Sequence, residues 1–155
     1  MVGVGNPILG DDGVGIHAAR ELKGRLEADV REAYTGGLNL LDIIIGYDKA
    51  ILIDAVYLDD MKIGEVRVLD LDELGTAHST NPHDATLMEA LEISQRMGED
   101  RIPDEIKLVG IRIERVEEFS DELSVEVRGA IPLVVEIVED LFKNLSDRII
   151  HDKAK

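Results

Sequence analysis

The sequence predicts one α/β domain: a three-layer α/β/α sandwich around a mostly parallel five-stranded sheet, with one antiparallel strand. Three observations carry that expectation. Short apolar runs of strand length alternate along the chain with segments whose apolar residues recur every three or four positions. One run, Lys49 to Val56 (Lys-Ala-Ile-Leu-Ile-Asp-Ala-Val), is apolar almost throughout, as a central strand covered on both faces should be. And 155 residues, 45% hydrophobic and 32% charged, suit a single domain over 1–155 with a sizeable core.

Taken in order, Val2 and Val4 alternate with Gly3 and Gly5, like a buried strand lying against closely packed backbone. Asn6-Pro7 then forces an extended turn, in which Asn6 is expected to bond backbone. From Val14 the pattern turns helical, with Ile16, Ala19, Leu22 and Leu26 on one side, which predicts a helix over 14–28. Residues 29–34 read as a short strand, Thr35-Gly36-Gly37 as a loop and 38–45 as a short helix. After the central strand, residues 64–71 alternate Val66, Val68 and Asp70 like a more exposed strand, expected to be an antiparallel edge. The polar stretch 75–82 leads into a helix over 84–97, residues 106–113 form a further buried strand, and 114–121 an acidic loop. Ser124 precedes a long helix carrying Val127, Ile131, Val134, Val135, Val138, Leu141 and Phe142, which Pro132 should kink or split.

Composition removes several function classes. A net charge of −16 opposes binding to nucleic acid or anionic membranes, whose phosphates need clustered Lys and Arg; metal ions or basic partners fit better. No apolar run approaches the roughly twenty residues of a membrane span, and no basic region precedes an apolar core, so a cytoplasmic protein is expected. Without cysteine there is no disulfide, thiolate metal site or cysteine nucleophile, and any metal must take oxygen and imidazole ligands. No serine occupies a Gly-x-Ser-x-Gly elbow, which leaves direct attack by water for any hydrolysis.

Three residues join a ligating side chain to the end of an element: Asp12 after the first strand, Asp54 at the end of the third, and His83 before a helix. Parallel strands bring such ends together, and ligands bind outside the carboxyl ends of open α/β sheets. Two carboxylates and an imidazole suit a divalent transition metal such as nickel or zinc. Acidic residues at helix starts also serve as caps and dipole partners, so pattern alone leaves both readings open. A glycine-rich loop at a helix start could equally cradle a phosphate or nucleotide, although Asp11 and Asp12 would repel the anion.

The whole chain resembles the hydrogenase maturation endopeptidases, which trim the large subunit of nickel-iron hydrogenases. Gly-Val-Gly-Asn-Pro-Ile-Leu-Gly-Asp-Asp-Gly-Val-Gly at 3–15 is similar to that family's opening motif, Leu52-Ile53-Asp54-Ala55-Val56 to its strand-borne Asp-Ala motif, and Asn81-Pro82-His83-Asp84 to its histidine motif. The resemblance implies that Asp12, Asp54 and His83 are the nickel-recognition and catalytic residues, with zinc or cadmium able to substitute. It implies a protease that removes a C-terminal peptide from the large-subunit precursor after nickel insertion, the substrate itself delivering the metal. A maturation chaperone that binds the precursor without cutting it is the alternative, and oligomeric state stays open.

The fit has departures. Some members carry Glu where Asp12 stands, Glu32-Ala33-Tyr34 replaces the family's acidic run before Gly36-Gly37, and the opening strand is shorter than usual, which is expected to weaken sheet pairing at the end away from the site. Asp11 reads equally as a carboxylate supporting the site and as a helix-dipole partner. His17, His78 and His151 read as solvated or structurally satisfied, with His78 the one that could approach the site.

Overall fold

A computed structural model describes residues 1–34, 38–70, 82–116 and 118–153; for residues 38, 82–86 and 146–153 it describes the backbone. Strand β1 (Val2–Val4) ends in a turn and a short 3-10 segment (Gly10–Gly13), which runs into helix α1 (Val14–Leu22). Then follow β2 (Arg31–Ala33), α2 (Leu38–Ile44), β3 (Lys49–Val56), β4 (Val66–Asp70), α3 (Pro82–Arg96), β5 (Glu105–Arg112) and α4 (Val125–Lys153).

The five strands lie in the order β2-β1-β3-β5-β4. β1 pairs in parallel with β2 and β3, β3 in parallel with β5, and β4 antiparallel with β5 at the edge, as the sequence pattern predicts. Strand β3 is central and pairs with β5 along its whole length, Lys49 with Glu105 through Val56 with Arg112.

Two apolar cores flank the sheet, divided by the alternation of side chains along each strand. Ala50, Leu52 and Val56 of β3 and Ile106 and Leu108 of β5 pack with Leu41 and Ile44 of α2 and Leu87, Ala90 and Leu91 of α3. Ile51, Ile53 and Ala55 of β3, with Val109 and Ile111 of β5, pack instead with Val14, Ala18 and Leu22 of α1 and Val127, Val134 and Val138 of α4. A helix layer on each face gives the three-layer sandwich.

α1 approaches the sheet so closely that its contact is backbone on backbone. A Cβ at Gly15 would lie 2.2 Å from the Ile53 carbonyl oxygen and 2.3 Å from that of Val4, and one at Gly3 would lie 2.2 Å from the Gly15 carbonyl oxygen. Only glycine fits at either position, and Gly3 and Gly15 of the opening motif are explained by this contact.

Two expectations need correction. α1 ends at Leu22 rather than at residue 28: Lys23 leaves the helical region with ψ 123° and Gly24 takes φ +79°. Leu26 still packs against the core formed by α1 and α4, from a turn instead of a fourth helical turn, which is why it keeps the apolar rhythm. α4 is one helix through Pro132 and is not split. Pro132 and Arg128, whose carbonyl loses its helical partner, are both exposed, so water serves that carbonyl while buried Val127, Ala130, Val134 and Val135 hold the helix on either side.

Glu32 joins β2 to α1. Its carboxylate takes Arg20 and Lys23 as ion-pair partners at 3.0 and 2.7 Å and accepts the Tyr34 hydroxyl at 2.6 Å. Hydrogen bonds from Arg20, then Lys23 and Tyr34, hold its carboxyl down to about 2, from an ordinary 4.5.

Two outcomes follow from these contacts. Gly15→Ala should cost about 3 kcal/mol or more, because the new methyl meets carbonyl oxygens that have nowhere to move; urea denaturation checks this, and an unchanged midpoint would refute the close-packing account. Because the folded pKa of Glu32 is depressed, its stabilisation is complete above pH 4.5 and fades as pH falls toward 2. The difference in melting temperature between wild type and Glu32→Gln should therefore shrink across that window and be constant above it.

Candidate metal and catalytic site

The topology places one crevice. From β1 the chain crosses through α1 to β2 on one side, while β3 lies on the other, so the strand order reverses between β1 and β3. Their carboxyl ends open there, as at the ligand sites of doubly wound sheets. Asp12 and Asp54 stand at those two ends and are the buried charged residues among the described part of the chain, 8% and 3% exposed.

Asp12 is delivered by the turn. Gly5, at φ +139°, brings its backbone against residue 12, where a Cβ would lie 2.0 Å from the Asp12 carbonyl oxygen. The Asn6 side chain accepts the Ile8 amide at 3.2 Å and so closes the turn by bonding backbone, as the sequence predicts. Asp12 Oδ2 accepts the Asn6 amide at 2.9 Å, while its Oδ1 makes no hydrogen bond among the described residues. One oxygen is anchored and the other is available.

Asp54 interrupts the apolar face that Ala50, Leu52 and Val56 share with α2 and α3. Its Oδ1 accepts the Ala55 amide at 2.8 Å. Opposite it in register on β5 is Gly110, which presents no side chain and where a Cβ would press within 2.8 Å of Val56. The space over Gly110 is therefore taken by the Val56 side chain.

Tyr57 stands one residue beyond β3. Its phenol is pushed up first by burial and then by the negative charges of Asp12 and Asp54, with Arg115 and Arg112 opposing.

His83 lies in the first turn of α3, four residues before Leu87, which packs on the same sheet face that carries Asp54. The His83 side chain lies outside the described residues, as do His78 and Thr35-Gly36-Gly37. Among the described residues no three His, Cys, Asp or Glu side chains are placed to hold a metal ion.

Other acidic residues have structural duties. Asp11 Oδ1 accepts the Ser124 amide at 2.7 Å, and Ser124 Oγ in turn accepts the Val127 amide at 3.4 Å, so Asp11 ties the 3-10 segment to the start of α4. No local pattern in the sequence links these two segments, which are more than a hundred positions apart. Asp60 pairs with Arg67 at 2.7 Å on the surface. His17 on α1 is pushed down chiefly by burial and stands beside Arg20 and Arg128. A cavity of about 260 Å³ between Met1, Ile51 and Phe142 opens at the amino ends of the strands, away from both buried carboxylates.

The glycine loop is not a phosphate cradle. Cβ atoms added at Gly3, Gly5, Gly13 and Gly15 would all strike the protein's own backbone, within 2.8 Å. The space that glycine creates is already used for packing, and the group presented is a carboxylate.

Comparison with known proteins agrees with this geometry. The family model HycI, described as hydrogenase maturation protease, matches residues 16–141, a span that contains Asp54 and His83 and begins just after Asp12. The hydrogenase expression/formation protein HupD of Rhizobium leguminosarum bv. viciae is 27% identical over 145 residues, covering 88% of this chain and 69% of that protein. Protein FrxA of Pyrococcus furiosus is 31% identical over 137 residues, 87% of this chain and 98% of its own. Among solved structures, the hydrogenase maturating endopeptidase HybD from E. coli matches with TM-score 0.77 at 25% identity, over 92% of this chain and 90% of that one. The [NiFe] hydrogenase maturation protease HybD from Thermococcus kodakarensis matches with TM-score 0.70 at 27% identity, over 90% and 95%.

The anchoring of Asp12 separates its two roles. Asp12→Ala strands the Asn6 amide and should cost about 1–3 kcal/mol, while Asp12→Asn keeps an oxygen acceptor and should recover most of that loss. Denaturant titration of the three proteins checks this; equal midpoints would refute the anchor.

Proposed function

This chain belongs to the hydrogenase maturation protease family, and from that premise we propose that it is the endopeptidase that removes a C-terminal peptide from the precursor of a nickel-iron hydrogenase large subunit once nickel is in place. The observation that carries the reading is the pair of buried carboxylates, Asp12 and Asp54, at the carboxyl ends of β1 and β3, and His83 is taken as their partner from the first turn of α3.

The donor set fits the ion. Carboxylate oxygens and imidazole nitrogen suit nickel, and zinc or cadmium as substitutes, and the free Oδ1 of Asp12 is a ready ligand atom. Nickel arrives as part of the substrate, so Asp12, Asp54 and His83 recognise a loaded precursor and reject an empty one. A divalent ion at this place supplies Lewis-acid polarisation of the scissile carbonyl and eases deprotonation of water.

The chain's own residues do the rest. With no cysteine and no serine elbow, water is the nucleophile: it adds to the carbonyl carbon as a carboxylate takes its proton, and that proton passes to the leaving amine as the C–N bond breaks. The anchored Asp12 is held ready by the Asn6 amide, and burial of both carboxylates keeps bulk water from competing. The partner is a protein, as a net charge of −16 favours over nucleic acid or membrane. Among the described residues no helix is long and apolar enough to cross a membrane, and the reaction is assigned to the cytoplasm.

Nickel-loaded precursor incubated with wild type should shorten by its C-terminal peptide, read by mass spectrometry, with nickel-free precursor left whole. Asp54→Asn and His83→Ala should each lower the rate about a thousandfold or more, the scale of losing a group that acts in the transition state. An undiminished cut by either variant would sink the site assignment; binding without any cut by wild type would turn the reading to the chaperone.

A further inference from the structure

Arg112 closes β5, in register with Val56 and two positions beyond Gly110, the residue opposite Asp54. The alternation along β5 puts it on the same sheet face as Ile106, Leu108 and Gly110, and therefore on the face of Asp54. Its Nε donates to the Leu58 carbonyl at 2.8 Å, which draws the side chain across the end of β3. Its backbone is fixed on both sides: the Arg112 amide donates to Glu65 and the Gly64 amide donates to Arg112.

What lacks an account is the far end of the guanidinium. Nη1 is shielded from solvent and has no hydrogen-bond partner, and it is the one buried side-chain nitrogen or oxygen among the described residues of which this is true. No carboxylate within ion-pair distance meets Arg112 among those residues, although the chain has nearly twice as many acids as bases. Arginines of this chain elsewhere find acids readily: Arg20, Arg31, Arg67 and Arg101 each hold one within 3.2 Å. A buried donor left without an acceptor is costly, and such donors gather where a ligand completes them.

We propose that Arg112 is a substrate-binding residue whose Nη1 donates to a main-chain carbonyl oxygen of the precursor segment lying over the carboxyl ends of β3 and β5, next to the scissile bond. This rests on the peptidase reading of Asp12, Asp54 and His83. The place suits the task. Arg112 stands two positions beyond Gly110, the residue of β5 in register with Asp54 of β3, and so at the carboxyl end of the strand beside that carboxylate. The register sets Arg112 beside Val56, two positions beyond Asp54 on β3. Asp12 and Asp54 hold the ion, while Arg112 holds the chain that carries it and fixes which carbonyl faces the water. The planar fork, tied at Nε and extended at Nη1, has a fixed direction that a lysine ammonium lacks.

The test measures binding and cutting separately on nickel-loaded precursor, by calorimetric titration and by mass-spectrometric progress curves, for wild type, Arg112→Met and Arg112→Lys. Both variants should raise Kd and KM about 10- to 100-fold, the scale of one charge-assisted hydrogen bond, with kcat changed much less, while loss of the Nε bond to the Leu58 carbonyl lowers the melting temperature of both. Met and Lys keep the stem of the side chain in the core, and a second measurement, the far-ultraviolet dichroism of each variant, verifies that they fold. Unchanged Kd and KM in folded variants would overturn the inference while leaving the protease reading intact. If wild type binds precursor and never cuts it, the protease reading falls, and weaker binding by the Arg112 variants still upholds the contact. Wild type that neither binds nor cuts would overturn both.

Discussion

The structure depends on one close contact, that of α1 with the carboxyl halves of β1 and β3 through Gly3 and Gly15. At ordinary helix-to-sheet separation the 3-10 segment that begins α1 would stand off from the end of β3, and Asp12 with it. Pressed backbone to backbone, the helix start is drawn into the crevice at the switch point, and Asp12 comes to lie beside the strand that carries Asp54. Bulk is provided by the neighbours, since Val14, Ala18 and Leu22 fill the core around the contact. The cost is a set of positions where no side chain is tolerated, and the gain is a carboxylate placed by rigid backbone instead of by a loop.

That constraint also explains why so acidic a chain holds its site apart. Most carboxylates here serve the surface or the joints. Glu32 binds β2 to α1 through Arg20 and Lys23, Asp60 meets Arg67, and Asp11 accepts the amide of Ser124 at the start of α4. Each has a cation or an amide that answers its charge. Asp12 accepts the Asn6 amide and Asp54 the Ala55 amide, both buried at the carboxyl ends of the strands. Burying a carboxylate costs a fold stability. In the proposed reaction the return is a pair of oxygen ligands ready before the substrate arrives.

Much of this was legible from sequence, for reasons that differ by element. β3 was found to the residue because a strand covered on both faces must be apolar throughout, and the edge strand β4 because an exposed face must alternate. Asp54 was conspicuous as the one charge inside that apolar run. The end of α1 was misread because Leu26 keeps a helical rhythm while reaching the core from a turn begun at Gly24, and periodicity registers burial, not hydrogen bonding. Pro132 was overweighted because its neighbours' packing outweighs one missing bond on the solvent side. The partner of Asp11 lay out of reach, since Ser124 is more than a hundred positions away and no local pattern connects them.

Arg112 was the residue least visible in sequence, where a single basic side chain ending an apolar strand reads as a solvated strand end. Its meaning comes from two relations that only topology supplies: the register that puts Gly110 opposite Asp54, and the pull of the Leu58 carbonyl on Nε. A Cβ at Gly110 would lie 2.8 Å from Val56, whose side chain fills that space. The same device therefore appears on both sides of Asp54. On one side glycines let backbone press in to deliver Asp12, and on the other a glycine lets Val56 pack down beside the carboxylate, so that the end of the sheet is rigid where Arg112 is tied to the Leu58 carbonyl.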